Sequence, residues 1–301
     1  MEFARALAKI LFNRLGYDVR RAPYSGSSHV AAEGADPVTY EYDPAKRGHV
    51  MFDVSLDDVR GLDPICFALN GRGHPFTAAF RAALVASEGE RLATIEQQLR
   101  AYYEAVEPEC ALDVVDLRAS RAPGLAGVEP AFYKLPWTAK SAEEIRIRRR
   151  RTAIVEGMQN GVAADVSHGL TNFGPATDRK IALETSRIAR LSKSFAAKGF
   201  VPFQKGNPLQ VGGLRSNGKY RWAVTHGQHR FALAAAASIA TVPAQIVLLV
   251  RREDASYWPG VLDGTYTEAG ALEYFDRIFE GRPARIAEPW LARQGCAFDD
   301  I

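Results

Sequence analysis

The chain predicts an α+β fold, with a mixed α/β core in its second half and a mainly helical first half. Three observations carry this reading. Segments near residues 76–87, 91–106, 178–199 and 268–279 repeat apolar residues at helical spacing. Asn217-Gly218 lies between two extended runs, which is the signature of a tight hairpin. The stretch from Trp222 to Leu248 reads as strand, glycine turn, alanine-rich helix and β-branched strand, a βαβ-like unit.

Composition sets the outer limits. With 301 residues, 47% of them hydrophobic, the chain is long enough to bury a sizeable core. A formal net charge of +3 is mild and demands neither DNA nor an anionic membrane as partner. Cys66, Cys110 and Cys296 are far apart, which fits neither a disulfide framework nor a zinc ribbon, so a reducing cytoplasm is the expected setting. No apolar run is long enough to span a bilayer, and Arg5, Lys9 and Arg14 interrupt the first hydrophobic segment, against a signal peptide.

In chain order, Phe3, Leu7, Ile10 and Leu11 make an apolar stripe beside a basic face. Such a helix docks on its own protein or, alternatively, lies on a membrane surface. Residues 18–46 are polar and rich in Gly, Ser, Pro and Tyr, hence irregular. His49–Leu56 reads as a strand, and the turn Gly71–Pro75 leads into a helix over 76–87. A second helix, Arg91–Val106, carries Leu92, Ile95, Leu99 and Tyr102 on one face. Leu112–Leu117 reads as a short strand, and Arg121–Lys140, with three prolines and two glycines, as a loop. Glu143–Arg151 is the most charged stretch. It reads as an exposed helix, with contact to nucleic-acid phosphates or an anionic glycan as the alternative.

A glycine-studded connection then places a boundary near residue 160, dividing the chain into 1–160 and 161–301. Thr177 and Asp178 start a helix that Gly199 ends. On its polar side Glu184 and Arg187 are three apart, a spacing that suits a surface ion contact or, alternatively, a carboxylate delivered to a site. Strands over 207–211 and 220–224 flank the Asn217-Gly218 turn, a helix follows from Gln228 to about Ala237, and Thr241–Val250 is a buried strand. An aromatic loop, 256–266, offers a surface for a base or sugar or simply covers a core edge, and the helix from Glu268 to Phe279 packs back onto the body.

Candidate chemistry gathers at the glycine turn. First-turn amides of a helix lack intrahelical partners and sit at the positive end of the macrodipole, so the turn suits phosphate. Gly227 permits close approach, Gln228, His229 and Arg230 offer donors, and Thr225 and His226 lead into the turn. Arg230 is expected to meet an anion. His226 and His229 are spaced to share a metal, but no third ligand is identifiable, so no metal site is assigned.

Gly227-Gln-His-Arg230, followed by small residues and Val242-Pro243 before a hydrophobic strand, resembles the phosphate-binding box of the ParB/sulfiredoxin superfamily, and residues 188–200 resemble the helix that leads into its core. The resemblance covers roughly residues 178–250. Sulfiredoxins place their reacting cysteine where Gln228 stands, so sulfinic-acid reduction is not implied. Chromosome-partitioning members follow the core with a helix-turn-helix domain, which has no counterpart here, so DNA binding is not expected. The resemblance therefore implies the superfamily's small-molecule kinases, with ATP or ADP (CTP as a variant) and Mg2+. The first half, with His74-Pro75, Tyr102-Tyr103 and Pro136-Trp137, resembles uncharacterised proteins of bacterial surface-polysaccharide biosynthesis. Together these lead to the expectation of a phosphotransferase acting on a small or sugar-like acceptor, with Glu184, Asp254 and His229 as catalytic residues. The rivals are a nucleotide-gated switch without turnover and a nucleic-acid binder through 146–151.

Overall fold

The structure, a computed structural model, describes residues 29–30, 37, 50–161, 166–202 and 207–296. The amphipathic segment expected at the N-terminus lies outside these residues. Among them the chain is α+β, built on a seven-stranded mixed sheet. The strands are β1 (His29–Val30), β2 (Val50–Ser55), β3 (Val59–Gly61), β4 (Phe67–Ala68), β5 (Gln210–Ser216), β6 (Lys219–His226) and β7 (Thr241–Arg251), in the order β1-β2-β7-β5-β6-β3-β4.

The centre of the sheet follows from local chemistry. Asn217 (φ 50°) and Gly218 (φ 73°) both turn left-handed, the geometry that lets a two-residue loop match strand twist, and β5 pairs antiparallel with β6 across them. β5 starts at Gln210, past Pro208, which has no N–H for a ladder. On β7 the residues Val242, Ala244 and Ile246 point inward, where they meet Val211, Val224 and Phe231 in one apolar cluster.

Two expectations need correction. β6 and β7 are not neighbours: β5 lies between them, parallel to β7 and antiparallel to β6. The intervening helix, α6 (Gln228–Ala236), therefore joins strands that run in opposite directions, whereas a true βαβ crossover joins parallel ones. Residues Leu112–Leu117, expected as a strand, instead hold a short helix, α3 (Ala111–Val115). The Asp113 carboxylate accepts from the N–H groups of Glu109 and Cys110 at 3.0 Å each, and this capping overrides the β preference of Val114 and Val115.

The remaining helices are α1 (Pro75–Val85), α2 (Arg91–Ala105), α4 (Ala142–Asn160), α5 (Asp178–Lys198), α7 (Pro259–Leu262), α8 (Glu268–Glu280) and α9 (Glu288–Arg293). His74 caps α1, its Nδ1 accepting from the N–H of Thr77 at 3.1 Å, and Pro75 takes the first helical position. Helices α1, α2, α5 and α6 pack on one another. Phe80, Leu99, Tyr102, Ile188, Tyr274 and Trp290 share their larger core. Residue 160 does not separate two cores, because β2 pairs with β7, β3 pairs with β6, and this cluster draws on both halves of the sequence.

Candidate functional site

A cleft of about 1500 Å³ opens where the turn between β6 and α6 meets α4, α5, the outer face of β7 and the 3-10 turn Arg252–Tyr257. Thr225, His226, Gly227, Gln228, His229, Arg230 and Asp254 all line it, so the structure brings most of the expected set together. Glu184 lies behind that surface, fully buried, and is linked to the cleft through His229 and Arg187.

The turn has the expected backbone. Gly227 adopts φ 94°, and a Cβ there would stand 2.6 Å from Leu209 Cδ2, so both conformation and packing call for glycine. No side chain caps the first turn of α6, whose N-terminal amides face the cleft end of the helix.

The side chains of the turn divide by task. The Arg230 guanidinium is directed to the protein, not to an anion. It donates from one terminal nitrogen to the carbonyls of Pro202 (2.6 Å) and Asn207 (2.9 Å), and from the other to that of Pro208 (3.4 Å). The Gln228 amide is likewise occupied: its oxygen accepts from the N–H of Leu62 and its nitrogen donates to the carbonyl of Val224, each at 3.2 Å. These two residues brace the turn against β3, β6 and the segment entering β5.

His229 is placed for chemistry. Its Nε2 is 2.8 Å from Glu184 Oε2, and its ring stacks on Phe76 at 4.7 Å with planes 13° apart. The side chain remains 19% exposed, enough to be met from the cleft. Burial pushes the Glu184 carboxyl up, but His229, Lys180 and Arg187 together outweigh it and hold the group well below the usual carboxylate range. An ionised carboxylate only accepts, so Nε2 carries the ring proton towards Glu184 and a neutral ring keeps its lone pair on Nδ1. A carboxylate that fixes the tautomer of a histidine is the arrangement used to prepare a general base.

Glu184 is no surface ion partner. Its Oε1 takes Arg187 at 2.7 Å and Lys180 at 2.9 Å. Glu156 on α4 pairs with the same two cations, at 2.8 Å and 2.7 Å. The signal for this network was present in the sequence as Lys180, Glu184 and Arg187 on one helix face, but burial is what turns such a face inward. With its oxygens taken by three partners, Glu184 is unsuited to ligating a metal. Among the described residues no group of three or more His, Cys, Asp or Glu is placed to hold a metal ion. A divalent cation would enter mainly on phosphate oxygens, as magnesium commonly does, with Asp254 an acidic group at the cleft.

Sequence reasoning did not single out Asp63, Tyr133 or Arg190, and it gave Arg148 and Arg149 an anion-binding role only as an alternative. Asp63 lines the cleft and accepts from the Tyr274 hydroxyl at 2.6 Å; burial raises its carboxyl above the ordinary range, against the Tyr274 hydrogen bond and the charge of Arg277. Tyr133 lies under Arg149, 4.7 Å from ring centre to guanidinium. Arg148, Arg149 and Arg190 line the cleft from α4 and α5. The expected solvated face of the charged helix thus turns partly into the cleft. Tyr257, 75% exposed, joins Val247 and Leu248 on the opposite, apolar side.

No protein-family model matches the chain, and no curated protein and no solved structure matches it. Among the described residues no helix is long and apolar enough to cross a membrane.

Proposed function

We propose that the chain has a ParB/sulfiredoxin-like nucleotide-binding core and acts as a nucleotide-dependent phosphotransferase on a small or sugar-like acceptor. One observation carries the reading: a histidine oriented by a buried carboxylate stands beside an uncapped helix start, in a cleft whose charged lining is mostly cationic. A bound nucleoside di- or triphosphate supplies the phosphoryl group and the leaving phosphate. The α6 amides hold phosphate oxygens, and the apolar side with Val247, Leu248 and Tyr257 offers a face for the base. An acceptor hydroxyl at His229 gives its proton to Nδ1 as its oxygen forms the new bond to phosphorus and the bond to the leaving oxygen breaks. The positive ring that results is stabilised by Glu184.

The test pairs binding with turnover. Thermal shifts with ATP, ADP, CTP and GTP, each with magnesium, should single out one nucleotide, with about 2.7 kcal/mol of added stability at a hundred times its dissociation constant. His229→Gln should retain that shift while phosphoryl transfer or background nucleotide hydrolysis falls by about 10²–10⁴-fold. Full turnover in the variant would remove His229 as the base. Loss of every nucleotide response in folded wild type would remove the reading as a whole.

A further inference from the structure

Two groups of cations in this cleft differ in how they are answered. Arg187 and Arg230 are answered within the protein, by Glu184 and Glu156 in one case and by backbone carbonyls in the other. Lys140, Arg148, Arg149 and Arg190 also line the cleft, and among the described residues none of them forms a salt bridge. Arg149 instead sits over Tyr133, 4.7 Å from the ring centre, with Asp63 within electrostatic reach. Charges held in no salt bridge on a concave surface raise the local concentration of anions and reward one that binds there.

The neutral lining of the same wall narrows the class. Thr138, Thr152, Thr171 and Asn172 supply hydroxyl and amide groups, and Trp137 supplies a ring. Asp63, set among them, offers a carboxyl that can accept hydrogen bonds from sugar hydroxyls. The volume exceeds the roughly 300–1,000 Å³ that suffices for one small ligand.

We propose that the α4–α5 wall, with Arg148, Arg149 and Arg190, is a second subsite that takes an anionic sugar, phosphorylated or carboxylated. This names the acceptor class and rests on phosphoryl transfer at His229. The subsite is read by calorimetric titration of the full chain with glucose 1-phosphate, glucuronate and uncharged glucose, each with and without ADP and magnesium. At least one anionic sugar should bind at least tenfold more tightly than glucose, and the one that does so separates phosphate from carboxylate recognition. The Arg148→Gln/Arg190→Gln double variant should lose that preference while keeping its ADP response. Equal affinity for glucose, or an unchanged preference in the double variant, overturns the subsite. Tighter, steeply salt-dependent binding of a 20-nucleotide single strand also overturns it, in favour of nucleic acid. A nucleotide response without anionic-sugar binding sinks this inference alone; sugar binding without any nucleotide response leaves the subsite standing and sinks phosphoryl transfer.

Discussion

The floor and the α4 wall of the cleft are both rich in charge and use it differently. On the floor, Lys180 and Glu184 are buried and paired, Arg187 is half-buried against the same carboxylate, and Arg230 is spent on carbonyls. On the wall, Arg146 and Arg150 lie near the Phe132 ring and Arg149 over Tyr133, with their charge turned to solvent or to the cleft. Only the first pattern has stability as its main product. Removing a partner inside a buried network strands a desolvated charge, whereas removing an exposed arginine changes folding little. The same residue type therefore reports structure in one place and ligand in the other.

The sharpest break of this contrast is Glu184→Gln. It leaves Lys180 and Arg187 with Glu156 alone, so urea denaturation should show a loss of about 3–5 kcal/mol. A neutral result would mean that the network is solvated and the floor no different from the wall. Arg230→Ala comes next, at about 2–3 kcal/mol, because several carbonyls lose their donors together. If that variant unfolds normally but no longer responds to nucleotide, Arg230 belongs to the ligand and the division of tasks within the turn fails.

A smaller effect comes from pH. Burial pushes His74 from 6.5 down to about 3, with the charges of Arg81 and His229 acting the same way. The unfolded ring takes a proton below about pH 6.5 and the folded ring does not until about pH 3, so the stability present above pH 6.5 is lost as pH falls through that window. Glu184 adds to the loss only below the ordinary carboxylate range, since its folded group is depressed. Denaturation midpoints between pH 6.5 and 4.5 should fall with a slope of roughly 1 kcal/mol per pH unit. His74→Asn, which keeps a cap for Thr77, should flatten that slope. The smallest expected effect is on the wall: Arg148→Gln/Arg190→Gln should shift stability by about 0.5 kcal/mol or less.

Much of the local structure was legible because its determinants are local. Asn217-Gly218 marks the hairpin, and Thr177 and Gly199 bound α5. Gly227 marks the helix start, and His229 and Glu184, chosen from the turn and the helix before it, meet at 2.8 Å. What sequence could not supply was direction. Nothing in Arg230 distinguishes a guanidinium aimed at an anion from one aimed at Pro202 and Asn207, because that depends on where the segment before β5 passes. Asp63 joins the site because β3 pairs with β6, a contact across more than 150 residues with no local signature. Val114-Val115 differs in kind: the cap that Asp113 makes with the N–H groups of Glu109 and Cys110 outweighs side-chain preference.

Strand order also bears on how the protein is made. β2 gains its long partner only when β7 emerges, and β3 gains β6 only once residues 219–226 are made. Until then the first half exposes unpaired strand edges, and contacts so distant in sequence form slowly. A chain halted before residue 241 thus lacks β7, the strand that joins β2 to β5, and truncation there should yield a species prone to edge-to-edge association, in place of a smaller folded unit.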